Sequence, residues 1–381
     1  MRAVDLRAEL HRLAEPSGQE EKTASFVASR LRKIGFNEIH ERLGGWGLLA
    51  LKRSGQQGPY VIFRAELDAL PIDDPGHWPH RSRTRGVGHK CGHDGHMAML
   101  LDLGAHLAVD PLKKGTVGLL FQPAEETGQG AERMLDDTKV ASLLGSGRAP
   151  DHVFAVHNIP GAPLGSVLLR EGIFASASTG LEVQLAGHTA HAAHPEQARS
   201  PADALASLIT GWHGLVRTEL PFDRPALLTV IHAELGRRAF GTTPGQASLA
   251  ATLRAYENRD LDHLAARAVD VAESAAARWQ LECRWEFVES FRAVKNHPGS
   301  IDVVKKAAGR CIDTKIQVLE KPFSWSEDFG RFTDRFSGAL IGLGAGTDVP
   351  PLHHPDYDFP DELLKTGPEL LRAVLQELDM I

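Results

Sequence analysis

The residues with the most evident chemistry lie in one nine-residue stretch, GHKCGHDGH, at positions 88–96. In an extended segment, side chains two positions apart lie on one face, so Cys91 and His93 can point at a common ligand while Gly92 lets the backbone approach closely. Asp94 precedes an apolar helical run, and we expect it to be the N-cap of that helix. Thiolate and imidazole at this spacing predict a site for zinc or a related divalent metal.

A complete metal site needs further ligands, and three other segments offer them where apolar strands end. Glu125 and Glu126 follow the strand TVGLLFQ. Adjacent carboxylates usually point apart, which leaves one to bind metal and the other to hold a water. His157 follows VFAV, and either His353 or His354 follows the strand SGALIGLG. Because α/β domains build their active sites at strand ends, we expect these side chains to converge.

Two further acidic segments have different interpretations. RAELDALP, residues 64–71, places Glu66 and Asp68 on one face at the end of a strand, where Asp68 can orient a ligating histidine through a hydrogen bond. SWSEDFG is typical of a helix start, with Ser326 as the cap and Glu327 and Asp328 in the first turn. A catalytic part for Glu327 or Asp328 is the weaker alternative.

Bulk composition excludes several classes of protein. A chain of 381 residues exceeds the usual size of a single core and predicts two domains. Lysine and arginine number 42 against 49 acidic residues, so the net charge of −7 argues against nucleic acid as a partner. No apolar run is long enough for a signal peptide or a membrane span, which indicates a cytoplasmic protein with no membrane partner. Three widely spaced cysteines fit a reducing compartment.

The order of predicted elements defines the positions of the two domains. Apolar strands alternate with helices in residues 1–178 and again in 290–381, which predicts one discontinuous α/β domain with a sheet covered on both faces. Residues 179–289 follow the order β-α-β-β-α-β, which is the ferredoxin-like unit. This smaller domain therefore interrupts the larger one. If the candidate ligands in residues 91–157 meet the histidine at 353, the smaller domain between them must loop out of the larger one. This requirement agrees with an inserted domain at residues 179–289.

Taken in order, RAELDALP, GHKCGHDGH, FQPAEETGQGAE, VFAVHN, GHTAHAAHPE, SEDF and LHHPDYDF resemble the metal-dependent amidohydrolases of the aminoacylase and carboxypeptidase superfamily. The nearest branch is that of hippurate hydrolase and the indole-acetyl-amino-acid hydrolases. The resemblance covers nearly the whole chain. It implies a mixed-sheet catalytic domain that binds two divalent metals, interrupted by a lid and dimerisation domain, and hence a homodimer.

The resemblance also assigns roles to single residues. It implies that Cys91 bridges the two ions and that the other ligands are His93, Glu126, His157 and His353. It makes Glu125 the general base and His191 the lid histidine that stabilises the oxyanion. His353 is preferred to His354 because LHHP aligns with the usual Leu-His-Ser-Pro. The chain departs from the family pattern at two positions, with Glu66 where relatives usually have aspartate and Gly241 where many have asparagine.

These residues predict hydrolysis of the amide bond in an N-acyl amino acid or similar small conjugate, with Glu125 taking a proton from a metal-activated water. Arg254 is the candidate partner for a substrate carboxylate, and a surface role is its alternative. A dipeptidase or N-acetyl-amino-acid deacetylase with the same site remains open, as does a non-enzymatic relative of the fold. Zinc, manganese, cobalt and nickel all suit this mixture of ligands.

Overall fold

The computed structural model describes residues 2–75, 78–145, 149–221, 223–311 and 315–381. Its helices are α1 (Ala3–Leu13), α2 (Glu21–Lys33), α3 (His93–Val109), α4 (Gly130–Asp136), α5 (Thr138–Gly145), α6 (Ala202–Thr218), α7 (Asn258–Arg278), α8 (Pro298–Ala308), α9 (Gly330–Arg335) and α10 (Leu363–Glu377). Its strands are β1 (Glu38–Leu43), β2 (Gly47–Arg53), β3 (Tyr60–Glu66), β4 (Thr116–Gln122), β5 (His152–Ile159), β6 (Val167–Leu169), β7 (Gly172–Ala175), β8 (Ala177–Ala186), β9 (Ala226–Leu235), β10 (Gln246–Ala255), β11 (Glu282–Phe291), β12 (Val294–Asn296), β13 (Ile316–Val318) and β14 (Gly338–Gly344).

The main sheet has eight strands in the order β1-β2-β4-β3-β5-β14-β6-β13. Its central strands β4, β3, β5 and β14 run parallel, and β1 and β2 pair antiparallel with their neighbours. Strand β6 pairs antiparallel with β14 and parallel with β13. Strand β3 is buried along its whole length, as expected for a strand covered on both faces. The predicted α/β fold with a mixed sheet is confirmed.

A second sheet is fully antiparallel, in the order β11-β8-β10-β9, and its elements follow the sequence β8-α6-β9-β10-α7-β11. Alternate residues of β8 and β10 are buried, which is the period of a sheet with one covered face. Trp212 of α6 is fully buried, and its indole N–H donates to the carbonyl of Ala268 in α7 at 2.9 Å. This hydrogen bond satisfies the one polar atom that the large ring brings into the core.

The chain divides by its backbone contacts into two compact units. One comprises residues 1–174, 294–322 and 327–381, and the other comprises 175–293 and 323–326. The sequence-based boundaries at 178/179 and 289/290 differ from these by four residues each. The four-residue segment 323–326 was not expected in the smaller unit. It belongs there because the backbone N–H of Ser176 donates to the carbonyls of Phe323 and Trp325.

Several elements around the main sheet were not predicted, among them helix α1 and the peripheral strands β1, β6 and β13. No helix was predicted at α1, although its Leu6 and Leu10 contribute to the core. Strand β1, with the sequence EIHERL, is largely polar because it is an edge strand with one neighbour. Among the described residues, no helix is both long and apolar enough to cross a membrane.

Candidate metal centre and active site

The loop that carries Cys91 and His93 is fixed by a glycine. Gly92 has φ of 96° and is the N-cap of α3, so the helix begins at His93. The expectation that Asp94 is the N-cap is therefore wrong, because the left-handed turn at Gly92 starts the helix earlier. Asp94 lies in the first helical turn, fully buried, and accepts hydrogen bonds from Arg7 at 3.2 Å and from His11 Nδ1 at 2.8 Å.

The five predicted metal ligands lie together in the larger unit, at the start of α3, after β4, near the end of β5 and on the segment that follows β14. Their ligand atoms form overlapping groups in which every atom lies within 4.8 Å of the others. One group contains Cys91, His93 and His157, and a second contains Cys91, Glu126 and His353. Cys91 is common to both groups. The tertiary structure therefore places this thiol between two sets of ligands, where a bridging role is sterically possible.

The distances within and between these groups suit metal ions better than direct hydrogen bonds. Cys91 Sγ lies 3.6 Å from His157 Nε2, His93 Nε2 lies 3.8 Å from Glu126 Oε1, and His353 Nε2 lies 3.6 Å from Glu126 Oε2. Two nitrogen or oxygen atoms that each bind one ion at about 2.1 Å are roughly 3.0 to 4.2 Å apart, depending on the bond angle. The three observed separations are of this size.

The decisive observation concerns two of these atoms. His93 Nε2 and Glu126 Oε1 are both buried and have no hydrogen-bond partner among the described residues. A buried polar atom without a partner is costly to the fold, and such atoms in native proteins have a specific cause. Divalent cations bound at this centre, one contacting His93 and the other contacting Glu126, would satisfy both atoms. The thiolate, imidazole and carboxylate ligands are also those that zinc, manganese, cobalt and nickel accept, so the residues present fit a metal site.

Asp68 holds two of the predicted ligands. Its backbone carbonyl accepts a hydrogen bond from His93 Nδ1 at 2.9 Å, which leaves His93 Nε2 for a metal. Its carboxylate accepts hydrogen bonds from the backbone N–H of Glu126 at 3.0 Å and from Ser17 at 2.7 Å. Burial opposes a charge on His93, but the neighbouring carboxylates, Asp68 first, outweigh it and raise the pKa of His93 to about 10.

The two adjacent glutamates do not point apart as expected. Glu125 Oε2 and Glu126 Oε1 lie 3.9 and 3.8 Å from the same atom, His93 Nε2. The reason is the turn before them, where Ala124 has a φ of 51° and re-aims both side chains. Burial and neighbouring carboxylates raise the pKa of Glu125 well above its usual range. Burial likewise raises the pKa of Glu126 to about 7, although His93 opposes the rise.

A buried arginine that the sequence analysis did not single out organises the acids next to Glu125. Arg64 of β3 donates to Glu66, to Glu327 at 2.9 Å and to Asp328 at 2.7 Å, and all of these side chains are buried. The sequence feature that could have indicated this buried arginine is a charged residue inside the apolar run YVIFRAEL. The backbone N–H of Asp328 in turn donates to Glu125 Oε1 at 3.3 Å. Glu327 and Asp328 are therefore neighbours of the predicted general base.

The expectation that Ser326 caps a helix is wrong. Helix α9 begins only at Gly330, with Phe329 at its N-cap, because burial of Glu327 and Asp328 against Arg64 draws the preceding segment into the core. The hydroxyl of Ser326 instead accepts a hydrogen bond from another arginine, Arg254, as described below.

The backbone conformation at His353 turns its side chain and that of His354 to different surroundings. His353 has φ of 65° and its N–H donates to the carbonyl of Lys90, next to Cys91. Desolvation, and then the charge of His93, lowers the pKa of His353, although about half of its side chain is exposed. A lowered pKa favours the neutral ring that a metal ligand requires. The Nδ1 atom of His354 instead accepts the N–H of Asp356 at 3.1 Å, and its side chain is half exposed.

The remaining predicted residues lie in the smaller unit. His191 is exposed, and its Nδ1 accepts the N–H of Ala193 at 3.0 Å, so Nε2 carries the proton in the neutral ring. Arg254 donates to the carbonyl of Ser324 at 3.3 Å and to the hydroxyl of Ser326 at 3.0 Å. A Cβ added at Gly241 would meet no atom within 4 Å. The roles predicted for His191 and Arg254 stay predictions.

Comparisons with known proteins identify the family of this chain. The model of peptidase family M20/M25/M40 matches residues 62–377, which is most of the chain and includes every segment of the site. The chain belongs to peptidase family M20/M25/M40. The resemblance noted in the sequence is thereby confirmed, and the protein is a metal-dependent amidohydrolase.

Relatives from several organisms align over nearly their full length. The chain is 27% identical to the hippurate hydrolase of Campylobacter jejuni, covering 94% of this chain and 92% of that protein. It is 26% identical to the N-acetylcysteine deacetylase of Bacillus subtilis, covering 95% and 93%. It is 28% identical to the IAA-amino acid hydrolase ILR1-like 4 of Arabidopsis thaliana, covering 96% and 83%.

A solved structure shares the fold of this M20-family chain. The dinuclear metal binding peptidase of the M20 family from Bacillus subtilis superposes with a TM-score of 0.80 at 24% identity, covering 98% of this chain and 96% of that one.

Proposed function

We propose that the protein hydrolyses the amide bond of N-acyl amino acids and uses two divalent metal ions. The observation that carries this proposal is the pair of buried, unpartnered atoms His93 Nε2 and Glu126 Oε1, 3.8 Å apart, with Glu125 beside them. A purely structural metal site has no use for an additional carboxylate at this place. The names of the hippurate, N-acetylcysteine and IAA-amino acid relatives agree on substrates with an acyl group on an amino-acid nitrogen.

The ligands divide into two sets. One ion would be held by Cys91, His93 and His157, and the other by Cys91, Glu126 and His353. Ions bound there would lower the pKa of water and polarise the scissile carbonyl. The dinuclear structural neighbour supports the number of ions. Burial, and then Glu126, raise the pKa of the Cys91 thiol, so binding of cations is what would favour its thiolate form.

Glu125 is the proposed general base. Its carboxylate is buried and is held by the N–H of Asp328, in a setting that raises its pKa and so favours holding a proton between two steps. Glu125 would take the proton from the attacking water and deliver it to the nitrogen of the departing amino acid. Asp68 contributes by orienting His93 and the backbone of Glu126.

The smaller unit would supply the remaining groups. We assign oxyanion stabilisation to His191, whose Nε2–H is available as a donor, and binding of the substrate carboxylate to Arg254. The two hydrogen bonds that Arg254 donates, to the carbonyl of Ser324 and the hydroxyl of Ser326, both go to neutral oxygens. Among the described residues, Arg254 has no acidic partner. We further propose a cytoplasmic homodimer. A solution mass equal to one chain would contradict the dimer.

The test compares Glu125→Gln with Glu132→Gln, a control at an exposed position. We expect Glu125→Gln to retain its metal but to lose a factor of about 10² to 10⁴ in kcat, the usual contribution of a general base. Metal content and hydrolysis would be measured on hippurate, N-acetyl amino acids, indole-acetyl-amino acids and dipeptides. Undiminished turnover by the metal-loaded variant would contradict the role of Glu125. Exclusive cleavage of dipeptides or of N-acetyl groups would identify the dipeptidase or deacetylase alternative.

A further inference from the structure

A chain of short hydrogen bonds lies behind the predicted metal ligands. Glu66 Oε2 lies 2.7 Å from His96 Nδ1, and His96 Nε2 lies 2.6 Å from Asn158 Oδ1. The amide nitrogen of Asn158 then donates to the hydroxyl of Tyr357 at 2.6 Å. All four side chains are almost completely buried. None of them belongs to the ligand set assigned above.

This chain links the segments that carry three of the assigned ligands, His93, His157 and His353, to the end of β3. His96 lies one helical turn after His93 in α3, and Asn158 directly follows His157 in β5. Tyr357 belongs to the loop that begins at His353, and Glu66 ends β3, which leads into the Asp68 segment. Four pieces of backbone that are distant in sequence are therefore linked by three side-chain contacts.

Asn158 is the centre of this arrangement. Its backbone carbonyl accepts a hydrogen bond from His157 Nδ1 at 2.9 Å, which fixes the orientation of that ring with Nε2 towards Cys91. Its amide oxygen also packs against the ligand loop, since a Cβ added at Gly92 would lie 2.4 Å from it. Asn158 thus orients His157 through its backbone carbonyl and limits the approach of the Cys91 loop through its side chain.

His96 is occupied rather than available as a ligand. Both ring nitrogens have protein partners, Glu66 on one side and Asn158 on the other. Its ring packs at 5.8 Å from His93 and 5.1 Å from His157, measured between ring centroids. His96 therefore separates two predicted ligands at a fixed spacing. The carboxylate of Glu66 is in turn held by Arg64.

We propose that Glu66, His96, Asn158 and Tyr357 form a positioning chain that fixes the spacing of the metal ligands before any ion binds. This inference rests on the proposed function, because it concerns the same metal centre. Partners of this kind orient ligands, and their loss typically lowers metal affinity about 10- to 100-fold. Because a buried hydrogen-bond network is cooperative, removal of a distal member also loosens the near ones.

The test measures Zn²⁺ and Mn²⁺ binding to metal-stripped protein by calorimetry, together with the thermal midpoint of the metal-free form. Asn158→Ala breaks both central contacts, and Tyr357→Phe removes only the terminal hydroxyl while keeping the ring. Tyr60→Phe is the matched control, because Tyr60 is a buried tyrosine whose hydroxyl bonds to the carbonyl of Leu143 at 3.4 Å, outside this chain.

We expect a 10- to 100-fold weaker metal affinity for Asn158→Ala, a smaller loss for Tyr357→Phe and wild-type affinity for Tyr60→Phe, with kcat at low metal recovering when metal is added in excess. If Asn158→Ala does not fold, Tyr357→Phe decides the question alone. Unchanged affinity in folded variants, or an equal loss in the Tyr60 control, overturns the positioning chain. A wild-type chain that binds no metal instead overturns the proposed function.

Discussion

Replacing Glu20 by glutamine should make the stability of the protein less sensitive to pH. Glu20 is fully buried, and its Oε1 accepts hydrogen bonds from the N–H groups of Gly18 at 2.7 Å and Ala124 at 2.8 Å. Ala124 is the positive-φ residue that aims Glu125 and Glu126. The second oxygen of Glu20 has no partner among the described residues. Burial, followed by the charge of Asp68, raises the pKa of Glu20 to about 7 from an ordinary 4.5.

The magnitude follows from this difference. The folded state holds a proton on Glu20 that the unfolded chain releases, so the contribution of Glu20 to stability is fully present below about pH 4.5 and is lost as the pH rises to about 7. At about 1.4 kcal/mol per pH unit, the loss across this interval is about 3 kcal/mol. Glutamine keeps the accepting oxygen and never ionises. Its constant cost, an unpaired N–H group, is the same at every pH.

The assay is thermal unfolding of metal-stripped protein at pH 5 and pH 8, because a bound cation would also act on Glu20. We expect the midpoint of Glu20→Gln, relative to wild type, to rise by several degrees between the two pH values, at roughly 1 to 2 °C per kcal/mol for a chain of 381 residues. Glu21→Gln, at an exposed neighbouring position, is the control and should show no such change. An equal difference between variant and wild type at both pH values would refute the reasoning.

Three further predictions address the site and its support. His353→Ala should bind one fewer equivalent of metal by elemental analysis, whereas His354→Ala should retain the full amount; equal loss in both would contradict the assignment. Gly92→Ala should weaken metal binding measured by calorimetry, because its Cβ would lie 2.4 Å from the amide oxygen of Asn158. The control is Gly86→Ala, also at positive φ but in open space, which should only lower stability by about 1 kcal/mol. Arg7→Met should destabilise the fold by about 3 to 5 kcal/mol in denaturant titration, because three aspartates would lose their buried partner; a loss below 1 kcal/mol would contradict this.

Local patterns were sufficient for much of the fold. The alternation of apolar runs predicted β2, β3, β4, β5 and β14 with their helices, because burial on both faces leaves a continuous apolar strand. The period-two and helical patterns of residues 179–289 likewise predicted the elements of the smaller unit. Helix α1 and strand β1 were not predicted. Their stability depends on packing against the rest of the protein, and an edge strand has little apolar signal of its own.

The sequence by itself determined which chemical groups are on offer, because residue types and motif order predict Cys91, His93, Glu126, His157 and a histidine near the C-terminus as candidate metal ligands. Only the tertiary structure decided their arrangement. It turned both glutamates towards one histidine, separated His353 from His354, and buried Arg64 among the acids beside Glu125. These outcomes depend on contacts between residues that are up to 264 positions apart, and local sequence patterns do not encode such contacts.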